Sequence, residues 1–142
     1  MTKRVLLLSL RPRFADAILA GTKTVELRRR AINAQSGTRV ILYSTAPTMA
    51  IVGTAYLRRV DVANPEDAWK RYSTTLGLAK DEFDAYLDGS KRAYLLHLIR
   101  VCQLDKPLHL HELRSSGFRP PQSFRYIGDS DPRPLRQLVA AT

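Results

Sequence analysis

The chain has 142 residues, 44% of them hydrophobic, which suffices for one domain with a substantial core. Its 23 lysines and arginines against 13 acidic residues give a formal net charge of +10, so nucleic acid is the first partner to consider. The single Cys102 excludes an internal disulfide and a cysteine-rich zinc site. No apolar run approaches the roughly 20 residues of a membrane span, and the N-terminal apolar run stops at Arg11, too early for a secretory signal. We expect a soluble, cytoplasmic protein.

The first elements are a buried strand, a short helix and a strand with one polar face. The branched apolar run over residues 5–10 predicts the first strand. A helix is expected over residues 12–20, with Gly21 as its C-terminal glycine. Residues 24–29 alternate apolar and polar side chains, which is typical of a half-buried strand.

Three further strands and two helices follow. The strands are expected over residues 40–44, 50–62 and 93–103, and the helices over residues 65–72 and 79–88. Gly53 predicts a bulge or a close backbone approach within the strand expected over residues 50–62. Residues 109–114 are expected to form one helical turn. The Pro-, Gly- and Ser-rich remainder predicts an ordered loop and then a frayed tail.

Five strands with an early helix and a middle pair of helices predict an α+β domain built on a small, mixed, partly closed β-barrel with flanking helices. A β-α-β arrangement with a parallel sheet is the alternative. The link between the first two strands is short for a full crossover of about a dozen residues, which favours the barrel. We expect a single domain over residues 1–128 and a C-terminal tail over residues 129–142.

The first candidate site lies on the second strand, where Lys23, Glu26 and Arg28 are close in sequence. Arginine and lysine bind phosphate, and a carboxylate accepts hydrogen bonds from base amino groups, so the mixture suits nucleotide recognition. Ser9 and Arg11 at the end of the first strand are further candidates. An exposed strand carrying cross-strand salt bridges would have the same pattern.

The second candidate site is the loop Pro121–Tyr126, where a stiff Pro-Pro pair precedes polar and aromatic residues. We expect Arg125 to face the ligand and Phe124 to pack against the barrel. His109 and His111 lack a nearby Cys or paired carboxylate, so they make a poor zinc site. No metal and no cofactor are predicted.

The run LSLRPRFADAILAGTKTVELRRR, with its GxKxxExR core, resembles the ASCH domain family, which has a PUA-like β-barrel fold. The later segments ILYSTAPTMAIVGTAYLRRV and PPQSFRYI support the resemblance, which extends from Val5 to about Ile127. It implies a cleft beside the barrel that binds RNA, a nucleotide or a modified base, and it assigns Lys23, Glu26 and Arg28 to that cleft. Ser9, Arg11 and Arg125 are plausible neighbours.

Enzymes are known among the proteins that this chain resembles, including an amidohydrolase of N4-acetylcytidine and a protein that cuts RNA. The amidohydrolase pattern has a threonine nucleophile three residues after the lysine, where this chain has Glu26. Its further glutamate falls within residues 73–77, which contain no carboxylate. Threonine-type acyl transfer is therefore in doubt, and Lys23 and Glu26 would be catalytic only as an electrostatic and general-base pair.

The sequence thus favours an RNA- or nucleotide-binding PUA-like module with a basic cleft. The second hypothesis is a ribonuclease or a hydrolase of a modified nucleoside, and the third is a DNA-binding transcriptional regulator. Whether the protein is an enzyme, and its oligomeric state, stay open.

Overall fold

One mixed sheet organises residues 4–139, the part of the chain that this computed structural model describes. Its strands are β1 (Val5–Leu10), β2 (Val25–Arg28), β3 (Arg39–Ser44), β4 (Ala50–Ala63), β5 (Ala93–His109) and β6 (Phe124–Tyr126). Their order across the sheet is β2-β5-β4-β3-β1-β6, with β1 parallel to β3 and the other neighbours antiparallel. The sheet forms a half-barrel, which confirms the predicted mixed, partly closed α+β architecture.

Helices flank this sheet: α1 (Pro12–Ala20), α2 (Pro65–Tyr72), α3 (Lys80–Tyr86), α4 (Leu110–Arg114) and α5 (Arg133–Gln137). The side chain of Asn64 caps α2 by accepting a hydrogen bond from the backbone N–H of Asp67, which satisfies a donor of the first turn. Gly21 ends α1 at φ +84°, a conformation that favours glycine. Within residues 4–139, no helix combines the length and the apolar character that crossing a bilayer requires.

The parallel pairing of β1 with β3 explains why two architectures fitted the sequence. Helix α1 and strand β2 both lie between β1 and β3 in the chain, so the connection is long enough for a crossover. Strand β2 itself lies at the opposite edge, where it pairs with β5. The result is one parallel pair inside a mainly antiparallel sheet.

Three apolar clusters form the core. One contains buried residues of α1 and of the strands that α1 covers, including Ile18 and Leu8. The second lies on the other face, where Tyr43 packs with Leu113 of α4 and Leu135 of α5. The third joins β2 to α2 and α3 through residues such as Phe83. Tyr43 is 3% exposed, so it belongs to the core and does not offer a stacking face.

The first five strands were predicted, but β5 is longer than expected and the C-terminal segment is more ordered. Strand β5 continues to His109 through Arg100, a non-glycine residue at φ +50°. The register of β4 shifts at Gly53, where an added Cβ would approach the carbonyl oxygen of Cys102 to 2.8 Å, as expected for a bulge. Strand β6 lies within the predicted ordered loop, and helix α5 lies where a frayed tail was expected, because buried Leu135 anchors the chain. Residues 140–142 lie outside the described part.

Candidate nucleic-acid interface

A cleft of about 870 Å³ opens between strand β2, the end of β1, helix α3 and the segment before β6. Its volume falls in the range of roughly 300 to 1,000 Å³ typical of ligand sites. The residues that line it are Ser9, Leu10, Arg11, Phe14, Lys23, Glu26, Leu27, Arg28, Arg29, Arg30, Thr45, Leu78, Glu82, Ala85, Tyr86, Gln122, Ser123 and Phe124. Five of the six predicted site residues are among them.

The alternation of β2 brings two charged residues to one face of the sheet. Val25 and Leu27 pack into the cluster with α2 and α3, so the intervening Glu26 and Arg28 project to the opposite face. Both are buried, Glu26 at 6% exposure and Arg28 at 8%. The motif strand therefore does not carry the solvated face that a charge run usually forms.

Lys23, Glu26 and Arg28 form one ionic network, here called the floor network. The ammonium of Lys23 lies 3.1 Å from Glu26 Oε1. Arg28 donates through Nε to Glu26 Oε2 at 2.8 Å, and its Nη2 lies 2.6 Å from the same oxygen. Two cations therefore share one carboxylate in a buried site, and charge-assisted hydrogen bonds of this kind are among the strong ones.

Lys23 has two hydrogen-bond acceptors besides its ionic partner Glu26. In addition to Glu26, its Nζ donates to the carbonyl oxygens of Val25 at 2.9 Å and of Leu76 at 2.5 Å. Burial lowers the pKa of Lys23, although the carboxylate of Glu26 opposes that change. Gly77, at φ +73°, packs against the lysine stem, and an added Cβ would lie 3.1 Å from Lys23 Cβ. The lysine is thus fixed in the wall and its donors are used.

Arg28 ties the motif strand to two distant segments. Its Nη1 donates to Ser123 Oγ at 2.8 Å and to the Ser123 carbonyl oxygen at 3.3 Å, and its Nη2 donates to the carbonyl oxygen of Ser9 at 2.8 Å. Together with the hydrogen bond from Nε to Glu26, Arg28 donates four hydrogen bonds within the protein. Arg28 acts here as a clamp within the protein.

Ser9 also holds the loop before β6. Its backbone N–H donates to the carbonyl oxygen of Ser123 at 2.9 Å, and its hydroxyl donates to the carbonyl oxygen of Pro121 at 2.7 Å. Ser9 is therefore next to the cleft, as expected, but its donors bind the chain itself. The loop Pro121–Tyr126 closes one side of the cleft because of these bonds.

Three exposed arginines line the cleft near solvent: Arg11, Arg29 and Arg30, here called the mouth arginines. The guanidinium of Arg29 lies 5.3 Å from the ring centre of Tyr86, which is 36% exposed. Phe14 and Phe124 add further aromatic surface to the walls. Phe124 also packs against the first core cluster, as predicted. The mouth thus combines free positive charge with aromatic rings.

A separate ion pair joins α1 to α3 beside the mouth. Arg13 donates to Glu82 through both terminal nitrogens, the Nη2–Oε1 distance being 2.9 Å. The hydrogen bond from Arg13 and a second from the backbone N–H of Ala79 lower the pKa of Glu82 to about 2. Glu82 therefore stays ionised at neutral pH and neutralises Arg13.

The structure does not bring Arg125 into the cleft. Its guanidinium donates to both carboxylate oxygens of Asp131, at 2.8 and 2.9 Å, and to the carbonyl oxygen of Arg119. It also lies 5.5 Å from the ring centre of Phe118, in the second core cluster. This pair of Arg125 and Asp131, here called the C-terminal pair, lies on the other face of the sheet.

The two histidines considered above lie outside the cleft. His109 and His111 are exposed and stack with ring centres 5.6 Å apart. Within residues 4–139, no group of three or more His, Cys, Asp or Glu side chains has the arrangement of a metal site.

Several cleft residues were missed by the sequence reading. Ser123 and Gln122 belong to the loop of the second candidate site, but Arg125 was the residue of that loop that we expected to face the ligand. Tyr86 and Glu82 were assigned to a helix without a role at the site. The amphipathic pattern of this helix placed Tyr86 on the apolar face, and such a pattern does not distinguish a core contact from a cleft wall.

Comparison with known proteins agrees with this architecture. Residues 7–117 match the family model described as "Domain of unknown function (DUF365)". The chain is 32% identical over 135 residues to an ASCH domain-containing ribonuclease of Zymomonas mobilis, covering 94% of this chain and 90% of the relative. The crystal structure of ASCH from Zymomonas mobilis superposes with a TM-score of 0.85 at 30% identity and covers 94% of each chain.

A more distant structure shares the fold alone: the N-terminal domain of Staphylothermus marinus McrB, with a TM-score of 0.52, 13% identity, and coverage of 81% of this chain and 84% of that domain. The half-barrel and the matching relatives define the class as a PUA-like domain protein. Within that class, the chain belongs to the ASCH domain family.

Proposed function

We propose that this protein binds single-stranded RNA, with the phosphates along the mouth arginines and one nucleotide entering the cleft. The cleft itself is the observation that carries this proposal, because it joins exposed positive charge to aromatic walls. Proteins that bind single strands combine a basic surface that follows the backbone with aromatic rings on which bases stack. The ribonuclease name of the Zymomonas mobilis relative and the PUA-like fold also support RNA as the partner.

The phosphate contacts are assigned to Arg11, Arg29 and Arg30 and not to the floor network. In the floor network, the donors of Lys23 and Arg28 already have protein acceptors. A phosphate there would have to displace these bonds in a buried site. The exposed mouth arginines can bind phosphate at the cost of surface water only.

A binding titration tests this assignment. The variant Arg11→Ala/Arg29→Ala/Arg30→Ala would be compared with a control that removes the same charge elsewhere, Lys106→Ala/Arg114→Ala/Arg119→Ala, whose residues are exposed and do not line the cleft. Fluorescent single-stranded RNA would be titrated at several salt concentrations. Each phosphate contact on a single strand contributes about 0.7 to the slope of log affinity against log salt.

We expect the mouth variant to weaken binding and to reduce that slope by roughly 2, since about three contacts are lost, while the control keeps most of the affinity. Equal losses in the two variants would contradict a site at the cleft. Tighter binding of duplex DNA than of RNA by the wild type would favour a DNA-binding regulator instead.

Cleavage of RNA is a second candidate, favoured by the name of the Zymomonas mobilis relative. Glu26 and Lys23 would be the catalytic pair, with Glu26 accepting a proton from the attacking hydroxyl group and Lys23 stabilising negative charge. Incubation of RNA with wild type and Glu26→Gln, followed by product analysis, tests this role. Products formed equally by both would exclude Glu26 as the base. N4-acetylcytidine in a parallel reaction tests the amidohydrolase alternative.

A further inference from the structure

The floor network and the mouth differ in the hydrogen-bonding groups that remain available to a ligand. Lys23 donates two hydrogen bonds to backbone carbonyl oxygens and has Glu26 as its ionic partner. Arg28 donates four hydrogen bonds within the protein and makes a further ionic contact with Glu26. Both cations are therefore engaged with the protein. Glu26, which lines the cleft, is the exception because a carboxylate has about four acceptor positions.

The two oxygens of Glu26 are not equally occupied. Oε2 accepts a hydrogen bond from Nε of Arg28 at 2.8 Å and lies 2.6 Å from Nη2, so the guanidinium covers this oxygen. Oε1 has one ionic partner, the ammonium of Lys23 at 3.1 Å. One acceptor position of Oε1 therefore remains, on a side chain that is fixed by two cations.

We infer that the floor of the cleft accepts a hydrogen bond from the exocyclic amino group of a base, and so selects a base of that kind over uracil. This inference rests on the proposed binding of RNA. Cytosine and adenine present an amino group at the Watson–Crick edge, and a carboxylate accepts from such a group. Uracil has a carbonyl oxygen where cytosine and adenine have the amino group, so at that position it offers Oε1 an acceptor in place of a donor.

The buried position of Glu26 makes the discrimination strong. Its side chain is 8% exposed, so a ligand oxygen directed at Oε1 meets an acceptor with little water to separate them. A site with a fixed polar group discriminates against the ligand that leaves this group unpaired. Hydrogen bonds to charged groups are strong enough to change affinity roughly tenfold to a hundredfold.

The test uses a pentanucleotide of uridine whose central residue is uridine, cytidine or N4,N4-dimethylcytidine. Cytidine differs from uridine at the amino position and N3, and the dimethylated base has no amino hydrogen to donate. We expect wild-type protein to bind the cytidine probe at least about tenfold more tightly than either of the others. Fluorescence anisotropy at one fixed salt concentration measures the three affinities.

The variant Glu26→Gln separates recognition from folding. The amide keeps one oxygen for its cationic partners and replaces the other with an NH₂ group, so a donor stands where the carboxylate offered an acceptor. We expect the preference to reverse toward uridine, a change that a purely structural role of Glu26 would not produce. If the variant does not fold, the affinity of wild-type protein for the dimethylated probe still tests the inference.

The outcomes separate the two proposals. Equal affinity for the three probes, with binding that still depends on the mouth arginines, would overturn the amino selectivity and leave RNA binding intact. Absence of RNA binding in wild type would overturn both. A preference for cytidine that is lost on dimethylation supports the inference.

Discussion

The floor network and the C-terminal pair are two arginine–carboxylate groups on opposite faces of one sheet. Arg28 shares Glu26 with Lys23, and all three side chains are at most 10% exposed. In the C-terminal pair, Arg125 is 33% exposed and Asp131 is its single carboxylate partner, which also accepts from the backbone N–H of Gly128. The first group carries one more cation than anion in a buried site that lines a cleft, whereas the second is balanced and ties the chain end down.

The difference shows that the surroundings of an arginine–carboxylate group decide what the group can do. The floor network borders the cleft, where Glu26 Oε1 has one ionic partner, while the balanced pair at the chain end joins two parts of the C-terminal segment. The contrast can be sharpened by removing one member of each group.

Removal of Glu26 is expected to have the largest effect. In Glu26→Ala, two buried cations lose their common partner, and breaking a buried pair in this way lowers the free energy of unfolding by about 3 to 5 kcal/mol. Urea denaturation measures the change. Glu66→Ala, which removes an exposed carboxylate of α2, is the control and should leave the midpoint almost unchanged. A small effect of Glu26→Ala would mean that the floor network contributes no more to stability than the C-terminal pair does.

Replacement of the guanidinium of Arg28 is expected to have the next largest effect. In Arg28→Lys, one ammonium cannot serve Glu26, Ser123 and Ser9 together, so we expect a loss of about 2 to 3 kcal/mol. Hydrogen exchange of the Ser9 amide, which donates to Ser123, should become faster. Arg71→Lys on the exposed side of α2 should change neither quantity. Unaltered protection of the Ser9 amide would refute the clamp.

The C-terminal pair should contribute less, and its contribution should depend on pH. The hydrogen bonds from Arg125 lower the pKa of Asp131, although burial opposes this change. The stabilisation is therefore full above the unfolded value near 3.9 and is lost as the pH falls through the lower folded value. At neutral pH, Asp131→Asn should lower the free energy of unfolding by about 1 to 2 kcal/mol.

The measurement for Asp131→Asn is urea denaturation of both proteins at neutral pH and near pH 2. The difference between them should shrink at the lower pH, and RNA affinity should not change, because Asp131 lies outside the cleft. A difference that stays constant with pH would argue against an ionised Asp131 as the cause.

Removal of the exposed ion pair between Arg13 and Glu82 is expected to have the smallest effect on stability. In Arg13→Ala, the pKa of Glu82 should rise from about 2 toward its ordinary value of 4.5, because its main hydrogen bond is lost. Stability should hardly change, since water screens this pair. An NMR titration of the Glu82 carboxyl carbon gives the pKa. A value that remains near 2 would assign the shift to the Ala79 amide instead.

Much of the architecture could be predicted because hydrophobic periodicity is local. The alternation over residues 24–29 correctly put Glu26 and Arg28 on one face. It could not reveal that this face is buried, since Ser123, which covers it, is 95 residues away from Arg28. Such a contact depends on tertiary structure alone.

The expectation for Arg125 failed because a strand was not predicted. On β6, Phe124 pairs with Leu8 on the cleft face, so the following Arg125, opposite Leu7, points to the other face. Pro and Ser residues around this short segment suggested a loop, in which no alternation applies. Three residues are too few for a periodic signal. Helix α5 was hidden for the same compositional reason.

The irregular course of β5 has a further consequence for how the molecules behave at high concentration. Strand β2 covers β5 only over Tyr94 to His97, so the rest of that edge carries backbone groups that another strand could pair with. Arg100 at φ +50° interrupts the edge, and the stretch Asp105-Lys106-Pro107 adds charge and a residue without an N–H donor. Bulges, lysine and proline at sheet edges disfavour edge-to-edge aggregation. We therefore expect this edge of the long strand to resist pairing with a second molecule, while its other edge pairs with β4 in the half-barrel.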